Sequence, residues 1–439
     1  MYYNRLIPPL LTKTIVPLVA RSDGVSAVLA DDSVLDITGR LVRIITRALD
    51  AQQQTMIVNN IFELFVNHNN PSNIIAEKAD IVASNFRPLH KDSGKQVASS
   101  TMIFASVLAA VPRDIPLPVE SLMGLLRQTV ELAQAPKSPA HRLALLQIIG
   151  LVVNKWIKDP TDSAQVKELT ESLLSSITSP SSHFSEETRG ETLRIVFWLA
   201  KALLLRADKF GMDLTLSLVD ILAHPTFGAT AARGFAVLLG EDELLNKDNH
   251  AVVRMLYKQR TFATCVPKLV EGFKDADSST SLLALLRPNL LTETDIKPNI
   301  LLALSSILRS VPSPIITPSL PSLLPLLLQS VELPDASIKL ATIDTLQITV
   351  SESADVLQEH VSSVISRLLT AGGSPAVRIK ALRCLKAFPG AMRNELLLPY
   401  RRKVLRELVK ALDDKKRDVR KEAVDCRVKW WALGEASED

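Results

Sequence analysis

Apolar residues recur at helical spacing along most of the chain, and short clusters of Pro, Gly, Ser and Asp separate the apolar stretches. Ile57, Ile61, Leu64 and Phe65, for example, fall at i, i+4, i+7 and i+8, the pattern of one buried helix face. The same period predicts helices over residues 33–49, 52–67, 96–111, 119–133, 140–157, 164–177, 185–205, 211–222, 226–239, 321–330, 337–350, 356–369, 375–388, 399–412 and 416–433. We therefore expect an all-α protein.

Several of these helices share one motif near their start. A basic residue directly follows the first residue of the motif, and a small residue stands four positions after that first residue. The motif occurs as Val419-Arg420 with Ala423, Val377-Arg378 with Ala381, Ile338-Lys339 with Thr342 and Thr188-Arg189 with Thr192. Ile338 and Val377 are 39 residues apart, and Val377 and Val419 are 42 apart. Such spacing is typical of HEAT units, whose helix pairs bury their apolar faces only by stacking. The pattern predicts a HEAT/armadillo-type α-solenoid of about ten antiparallel helix pairs.

The regularity of the motif suggests how the chain is organised. We expect irregular HEAT-like repeats over 1–317, three regular repeats that form a docking region over 318–433, and an acidic tail over 434–439. Gly372-Gly373 and Pro389-Gly390 are expected to reverse the chain between helices. The basic residue of the motif is expected to hydrogen-bond an acid such as Asp335 or Asp413 in the preceding turn, the alternative being a solvated side chain.

Composition agrees with packed helices separated by proline-rich turns. Hydrophobic residues make up 47% of the chain and aromatic residues only 5%, with 25 Pro. No uninterrupted apolar stretch of eighteen residues occurs, so we expect no transmembrane helix and no association with a membrane. The start lacks the features of a secretory signal, and the three cysteines are odd in number and far apart. We expect a protein of the cytoplasm and nucleus, where thiols stay reduced.

The chain contains no motif that predicts catalysis or a bound cofactor. Phosphate-binding loops, nucleophile elbows and paired-Cys metal motifs are absent, and the seven His show no ligand spacing. Cys384 and Cys426 occupy matching positions in successive repeats, but two thiols are too few for a zinc ion or an iron–sulfur cluster, which favours small core residues. Trp430 and Trp431 are expected to end the stack, one in the core and one on the surface. We expect no enzyme, no cofactor and no metal.

Positive charge is concentrated near the end of the chain. Residues 378–431 contain 17 Lys and Arg against 7 Asp and Glu, a net charge of +10, whereas the whole chain carries +4, so the remainder carries about −6. Such a surface could dock an acidic protein, contact nucleic-acid phosphates or simply be solvated. The candidate partner-binding residues are Arg401, Arg402, Lys403, Lys415, Lys416, Arg417, Arg420 and Lys421.

Specific stretches resemble a known family. They are Leu398-Pro399-Tyr400, Leu405-Arg406, Leu412-Asp413-Asp414-Lys415-Lys416-Arg417, Val419-Arg420-Lys421-Glu422-Ala423-Val424, Tyr257-Lys258-Gln259-Arg260, Val266-Pro267-Lys268-Leu269-Val270 and Ile296-Lys297-Pro298-Asn299. Together they resemble the C-terminal part of the Mms-nineteen (Met-eighteen) HEAT-repeat family, whose members are considerably longer. The motifs lie between residues 257 and 424, and the earlier region matches by architecture alone.

The resemblance implies a non-enzymatic adaptor of the cytosolic iron–sulfur assembly targeting complex. Its partners would be a WD-repeat propeller subunit with a small companion, and iron–sulfur apoproteins such as DNA helicases and polymerases. The family docks the other targeting subunits through its C-terminal repeats, and direct nucleic-acid binding is not expected. Two alternatives remain open: a nucleic-acid-binding repeat protein that uses the basic end, and a karyopherin-like transport receptor, although such receptors usually carry acidic surfaces.

Overall fold

The computed structural model describes residues 2–19, 31–68, 75, 79–179, 183–286, 296–333 and 335–433. Over these residues the chain forms α-helices joined by short turns and 3-10 segments, and the described part contains no β-strand. The prediction of an all-α HEAT-type fold is confirmed. The predicted acidic tail at 434–439 lies outside the described residues.

The helices have the following bounds. In the first part of the chain they are α1 (Tyr2–Val19), α2 (Asp32–Arg47), α3 (Ala51–Phe65), α4 (Ala79–Asn85), α5 (Lys95–Ser99), α6 (Thr101–Ala110), α7 (Leu122–Ala133), α8 (Pro139–Lys155), α9 (Pro160–Thr178), α10 (Glu186–Leu205) and α11 (Lys209–Asp220). They continue as α12 (Gly228–Leu239), α13 (Tyr257–Leu286), α14 (Ile296–Ser310), α15 (Ser313–Ile316), α16 (Leu320–Glu332), α17 (Ala336–Glu352), α18 (Val361–Thr370), α19 (Pro375–Ala391), α20 (Asn394–Leu412) and α21 (Arg417–Trp431). Short 3-10 helices occupy Ile221–Ala223, Lys247–Asn249, Thr317–Ser319 and Ala354–His360.

The chain divides into two compact units. The first comprises Met1–Thr215 with Gly240–Tyr257, and the second comprises Leu216–Leu239 with Lys258–Asp439. In the first unit α2 packs on α6, α6 on α8 and α8 on α10, so that one helix of each pair forms a continuous row. Gly39 permits the close approach of α2 to α6, because a Cβ atom there would lie 2.7 Å from the Ser106 hydroxyl.

Buried cations satisfy helix-terminal carbonyls in the first unit. The Lys155 Nζ donates to the carbonyl oxygens of Leu108 at 2.8 Å and Ala109 at 3.0 Å, in the last turn of α6. Lys201 makes an equivalent bond to the Gly240 carbonyl at 2.7 Å. The Leu108 and Ala109 carbonyls lie in the last turn of α6, where backbone donors of the same helix are absent, so Lys155 supplies the donors. Burial lowers the pKa of Lys155 to about 7.

The second unit contains the regular repeats. One row of helices runs α12, α14, α17, α19 and α21, each packed on the next, while α16, α18 and α20 form the partner row. Over 318–433 the pairs are α16 with α17, α18 with α19 and α20 with α21. Their shared core includes Ile343, Leu346, Leu385, Phe388 and Trp430. The predicted division of the chain at residue 317 stays a prediction.

The predicted chain reversal at Pro389-Gly390 is wrong. Pro389 and Gly390 do not reverse the chain but lie inside α19, and the reversal comes at Met392 and Arg393. Helix α19 tolerates Pro389 because the carbonyl of Leu385, which loses its helical donor, accepts the indole N–H of Trp430 at 2.8 Å. The Gly372-Gly373 reversal is confirmed, with Gly373 at a φ of +114°.

Other differences concern short or proline-rich helices. The predicted helix 96–111 is divided at Ser100 into α5 and α6, and α4 was not predicted. Helix α1 was also not predicted, since Pro8, Pro9 and Pro17 lie within it.

Among the residues that the structure describes, one segment has the length and hydropathy of a membrane-spanning helix. It is Ser313–Glu332, with a mean hydropathy of 1.3. The segment combines α15, a 3-10 turn and α16, and the leucines of α16 at 320, 323, 324, 327 and 328 are buried in the second unit. Such a pattern is typical of a core helix.

Candidate docking surface on the last two repeats

The turn between α20 and α21 is organised by Asp414. Its carboxylate accepts the backbone N–H of Lys416 at 2.8 Å and an Nη2–H of Arg378, from the preceding repeat, at 3.2 Å. Its carbonyl accepts a bond of 2.6 Å from Arg420. The bonds from Lys416 and Arg378 hold the pKa of Asp414 below its ordinary value. One acid therefore fixes the turn to its own helix and to the neighbouring repeat.

Arg378 and Arg420 of the motif bond the preceding turn, as predicted, but their acceptors there are backbone carbonyls and not the predicted acidic side chains. Arg420 bonds the preceding turn through Asp414 rather than Asp413. Arg378 bonds the Gly373 carbonyl in its preceding turn and Asp414 in the following one. Asp335 instead caps its own helix, where it accepts the backbone N–H groups of residues 337 and 338. Arg420 is therefore committed to the fold and is only partly available to a partner.

Lys415, Lys416 and Arg417 form the exposed part of this turn. All three are exposed, and their side chains make no hydrogen bond or ion pair with other residues that the structure describes. Helix α21 begins at Arg417, and Lys421 lies one turn further on, also exposed. These four cations are free to meet an acidic surface.

The candidates on α20 have three different environments. Arg401 donates to the carbonyl of Trp430 at 3.2 Å and to that of Trp431, and it lies 5.5 Å from the centre of the Trp431 ring. Lys403 donates to the hydroxyl of Ser366 on α18 at 2.8 Å. Arg402 is exposed and makes no such contact within the described ranges. The structure thus brings the eight candidates to one repeat but assigns Arg401, Lys403 and Arg420 to internal contacts.

Ion pairs between neighbouring helices neutralise part of the basic region. Glu422 on α21, whose side chain is 12% exposed, pairs with Arg383 at 2.8 Å and Lys386 at 3.0 Å on α19. On the other side of α19, Lys380 pairs with Asp344 on α17. Sequence reasoning missed these pairs. The signal was present, because partners lie 36 or 39 residues apart, close to the repeat length.

A groove of about 610 Å³ runs beside these pairs. Its lining consists of Gln347, Arg383, Lys386, Ala387, Asp425, Val428 and Lys429. It crosses α17, α19 and α21, but Arg383 and Lys386 in it are already bound to acids of the chain.

The two terminal tryptophans have opposite environments, as predicted. Trp430 is completely buried, whereas Trp431 is 53% exposed. Arg401 orders both, through the carbonyl bonds and the ring contact described above.

The cysteines belong to the core. Cys265, Cys384 and Cys426 are buried and unpaired. Burial raises the pKa of Cys265 and of Cys426 to about 12, and it also raises that of Cys384, to which the neighbouring Cys426 contributes. No group of three His, Cys, Asp or Glu side chains that could hold a metal ion occurs among the residues described.

A family model and two curated relatives that match this chain carry the same family name. The family model named MMS19_C, described as RNAPII transcription regulator C-terminal, matches residues 1–389. The chain is 32% identical over 410 residues to the human MMS19 nucleotide excision repair protein homolog, and the match covers 93% of this chain and 37% of that protein. It is 28% identical over 393 residues to the Schizosaccharomyces pombe DNA repair/transcription protein mms19, covering 88% of this chain and 36% of the relative. The chain therefore spans well under half the length of these relatives.

Solved helical-repeat structures are also similar. Yeast importin-beta (Kap95p) is 13% identical with a TM-score of 0.44, and the match covers 100% of this chain and 59% of that one.

Proposed function

The chain belongs to the MMS19 family of DNA repair and transcription proteins, and from that membership we propose that it is a non-enzymatic adaptor in cytosolic iron–sulfur protein assembly. In this role it would dock a WD-repeat propeller subunit and its small companion. It would help to deliver clusters to apoproteins of DNA repair and replication in the cytoplasm and nucleus. The cluster is cargo held by other proteins.

The observation that carries the docking proposal is the row of unpaired cations on the last repeat. Four cations remain free, namely Lys415, Lys416, Arg417 and Lys421. Neighbouring cations such as Arg378 and Arg383 instead form ion pairs with acids of the chain. The Asp414 bonds hold the turn in place, which lowers the entropy cost of binding. A stable interface needs roughly 800 Å² per partner, an area that two adjacent repeats can supply.

The buried thiols also agree with an adaptor. A thiol must lose its proton to bind iron, and burial opposes that loss at Cys265, Cys384 and Cys426.

The test is capture of the propeller–companion subcomplex by a variant in which Lys415, Lys416 and Arg417 are each changed to Glu. We expect at least tenfold weaker capture at physiological ionic strength, with unchanged helical content and melting temperature. The matched control reverses three exposed lysines of the first unit, Lys137, Lys209 and Lys247, and so changes net charge equally. Equal capture by both variants and the parent would place the docking surface elsewhere, first of all on the ridge of residues 338–383.

The same free cations favour one alternative, direct binding of nucleic acid. If all four of them contact phosphates, affinity should fall by roughly a hundredfold between 50 and 200 mM salt. Absence of DNA binding at 50 mM salt would reject that alternative.

A further inference from the structure

The repeat stack exposes apolar side chains on its last helix pair. On α21 they are Val424, Val428 and Trp431, spaced at i, i+4 and i+7. On α20 they are Leu398 and Val409, in line with the half-buried Leu405. Together these residues form what we call the end face.

In the preceding repeats, the position equivalent to Val424 is buried. When Ile338, Val377 and Val419 are aligned, the residue five positions on is Ile343, Leu382 or Val424. Ile343 is 0% exposed and Leu382 is 6% exposed, because α19 packs on α17 and α21 packs on α19. Val424 is 50% exposed. Val424 therefore stands at a position that a neighbouring helix covers in the two preceding repeats.

Charge on the end face restricts the class of protein that can cover it. Arg417 and Lys421 lie on the same stripe of α21 as Val424, Val428 and Trp431, and Arg402 lies beside Leu398 on α20. The two stripes, at 417, 421, 424, 428 and 431 and at 398, 402, 405 and 409, contain no acidic residue. A second copy of this face would bring like charges together, and a nucleic acid would leave the aliphatic residues uncovered.

Trp431 is suited to be the anchor of such an interface. Arg401 contacts its ring and bonds its carbonyl, so the exposed indole is held in position before binding. Preordered tryptophans surrounded by apolar neighbours commonly supply much of the binding energy at protein interfaces.

We propose that the end face binds an amphipathic helix of a partner protein, with an apolar stripe that packs on Val424, Val428 and Trp431 and acidic flanks that meet Arg402, Arg417 and Lys421. This inference rests on the proposed docking function and adds the kind of element that is bound. The bound helix continues the stack as its next layer.

The four tryptophans provide a direct measurement. Trp156, Trp198 and Trp430 are at most 6% exposed, so quenching of fluorescence by acrylamide reports on Trp431. The probe is a synthetic helical peptide with Leu at i, i+3, i+4 and i+7, Glu at the positions that flank this stripe and Ala elsewhere. We expect saturable protection of Trp431, at least tenfold weaker for the Val424→Ser, Val428→Ser double variant. Leu143→Ser, an equally exposed apolar site on α8 in the first unit, should leave binding unchanged.

Several results would overturn the inference. The acidic peptide could fail to protect Trp431 from acrylamide, or a peptide with Lys in place of Glu could protect it equally well. Trp431 could also be protected in the chain without peptide, either because the chain dimerises, as sedimentation would show, or because residues 434–439 cover it, in which case their removal would abolish the protection. Loss of subcomplex capture on reversal of Lys415, Lys416 and Arg417, with Trp431 still open to acrylamide when the subcomplex is bound, would support the proposed function and reject this inference. Protection of Trp431 by the peptide with unchanged capture would support the inference and reject the proposed role of the turn.

Discussion

The indole N–H of Trp430 donates to the carbonyl oxygen of Leu385 at 2.8 Å. That carbonyl would ordinarily accept the backbone N–H of residue 389, which is proline and has none. The last helix of the stack thus supplies a donor that the previous helix lacks. The bond lies in the buried core, where an unpaired carbonyl is costly.

Trp430→Phe should destabilise the second unit by about 1–3 kcal/mol, because it leaves the Leu385 carbonyl without a donor. In a Pro389→Ala background the cost should be about 1 kcal/mol smaller, since the backbone N–H of the introduced alanine can donate to the same carbonyl. Urea unfolding of the four proteins measures the coupling. Pro325→Ala, a proline change inside α16, serves as the control background. Equal cost of Trp430→Phe in all backgrounds would contradict the assignment.

Stability should depend on pH through Lys155. Burial lowers its folded pKa to about 7, below the unfolded value, so the unfolded chain binds more protons above pH 7. Raising the pH from 7 to 8.5 should therefore increase the free energy of unfolding of the parent relative to Lys155→Met, by up to about 2 kcal/mol. Denaturant titrations of both proteins across this range measure the difference. Parallel pH profiles would mean that Lys155 keeps an ordinary pKa.

The three thiols should be inert in the folded protein. Burial raises the pKa of Cys265, Cys384 and Cys426, so thiolate is scarce at pH 8. We expect less than one fast-reacting thiol per native chain with a disulfide reagent, and three after denaturation. The purified chain should also carry no stoichiometric iron, sulfide or zinc. A visible cluster absorption band that survives desalting under anaerobic conditions would be evidence against this.

Removal of residues 416–439 should have a local effect. Helix α21 covers the buried residues Val404 and Leu408 of α20 and Cys384 of α19, and a repeat is stabilised mainly by its neighbours. Hydrogen exchange should accelerate in α19 and α20 while α8 in the first unit stays protected. Uniform acceleration along the chain would show a single cooperative globule instead of a stack.

The sequence was most informative where the period was regular. From 337 to 433 the apolar spacing predicted most helix ends to within a few residues, because caps such as Ser374 and Asp335 act locally. It failed in α1, which contains three prolines, and at Pro389, where a contact with a distant residue compensates for the proline. The donor for Leu385 lies 45 residues away, and no local pattern indicates it.

The candidate surface was predicted in location but not in detail. The count of basic residues identified the last repeat. It could not show that Arg401 donates to the carbonyl of Trp430 at the end of α21, or that Arg383 pairs with Glu422. Which cations remain free depends on pairs about one repeat apart, and those become visible only when the helices are packed. The exposure of Val424 likewise depends on whether another helix packs over α21, which its own sequence does not indicate.

The ion pairs between α17, α19 and α21 have a consequence for how the chain assembles. Asp344 and Glu422 are both acidic, and each meets the cations of α19, which lies between them. If α21 took the place of α19 beside α17, two carboxylates would face each other across a closely packed contact, at a cost in free energy. Similar helices can exchange places while a repeat array folds. The alternation of sign thus favours the native order of α17, α19 and α21 over an order in which α21 replaces α19.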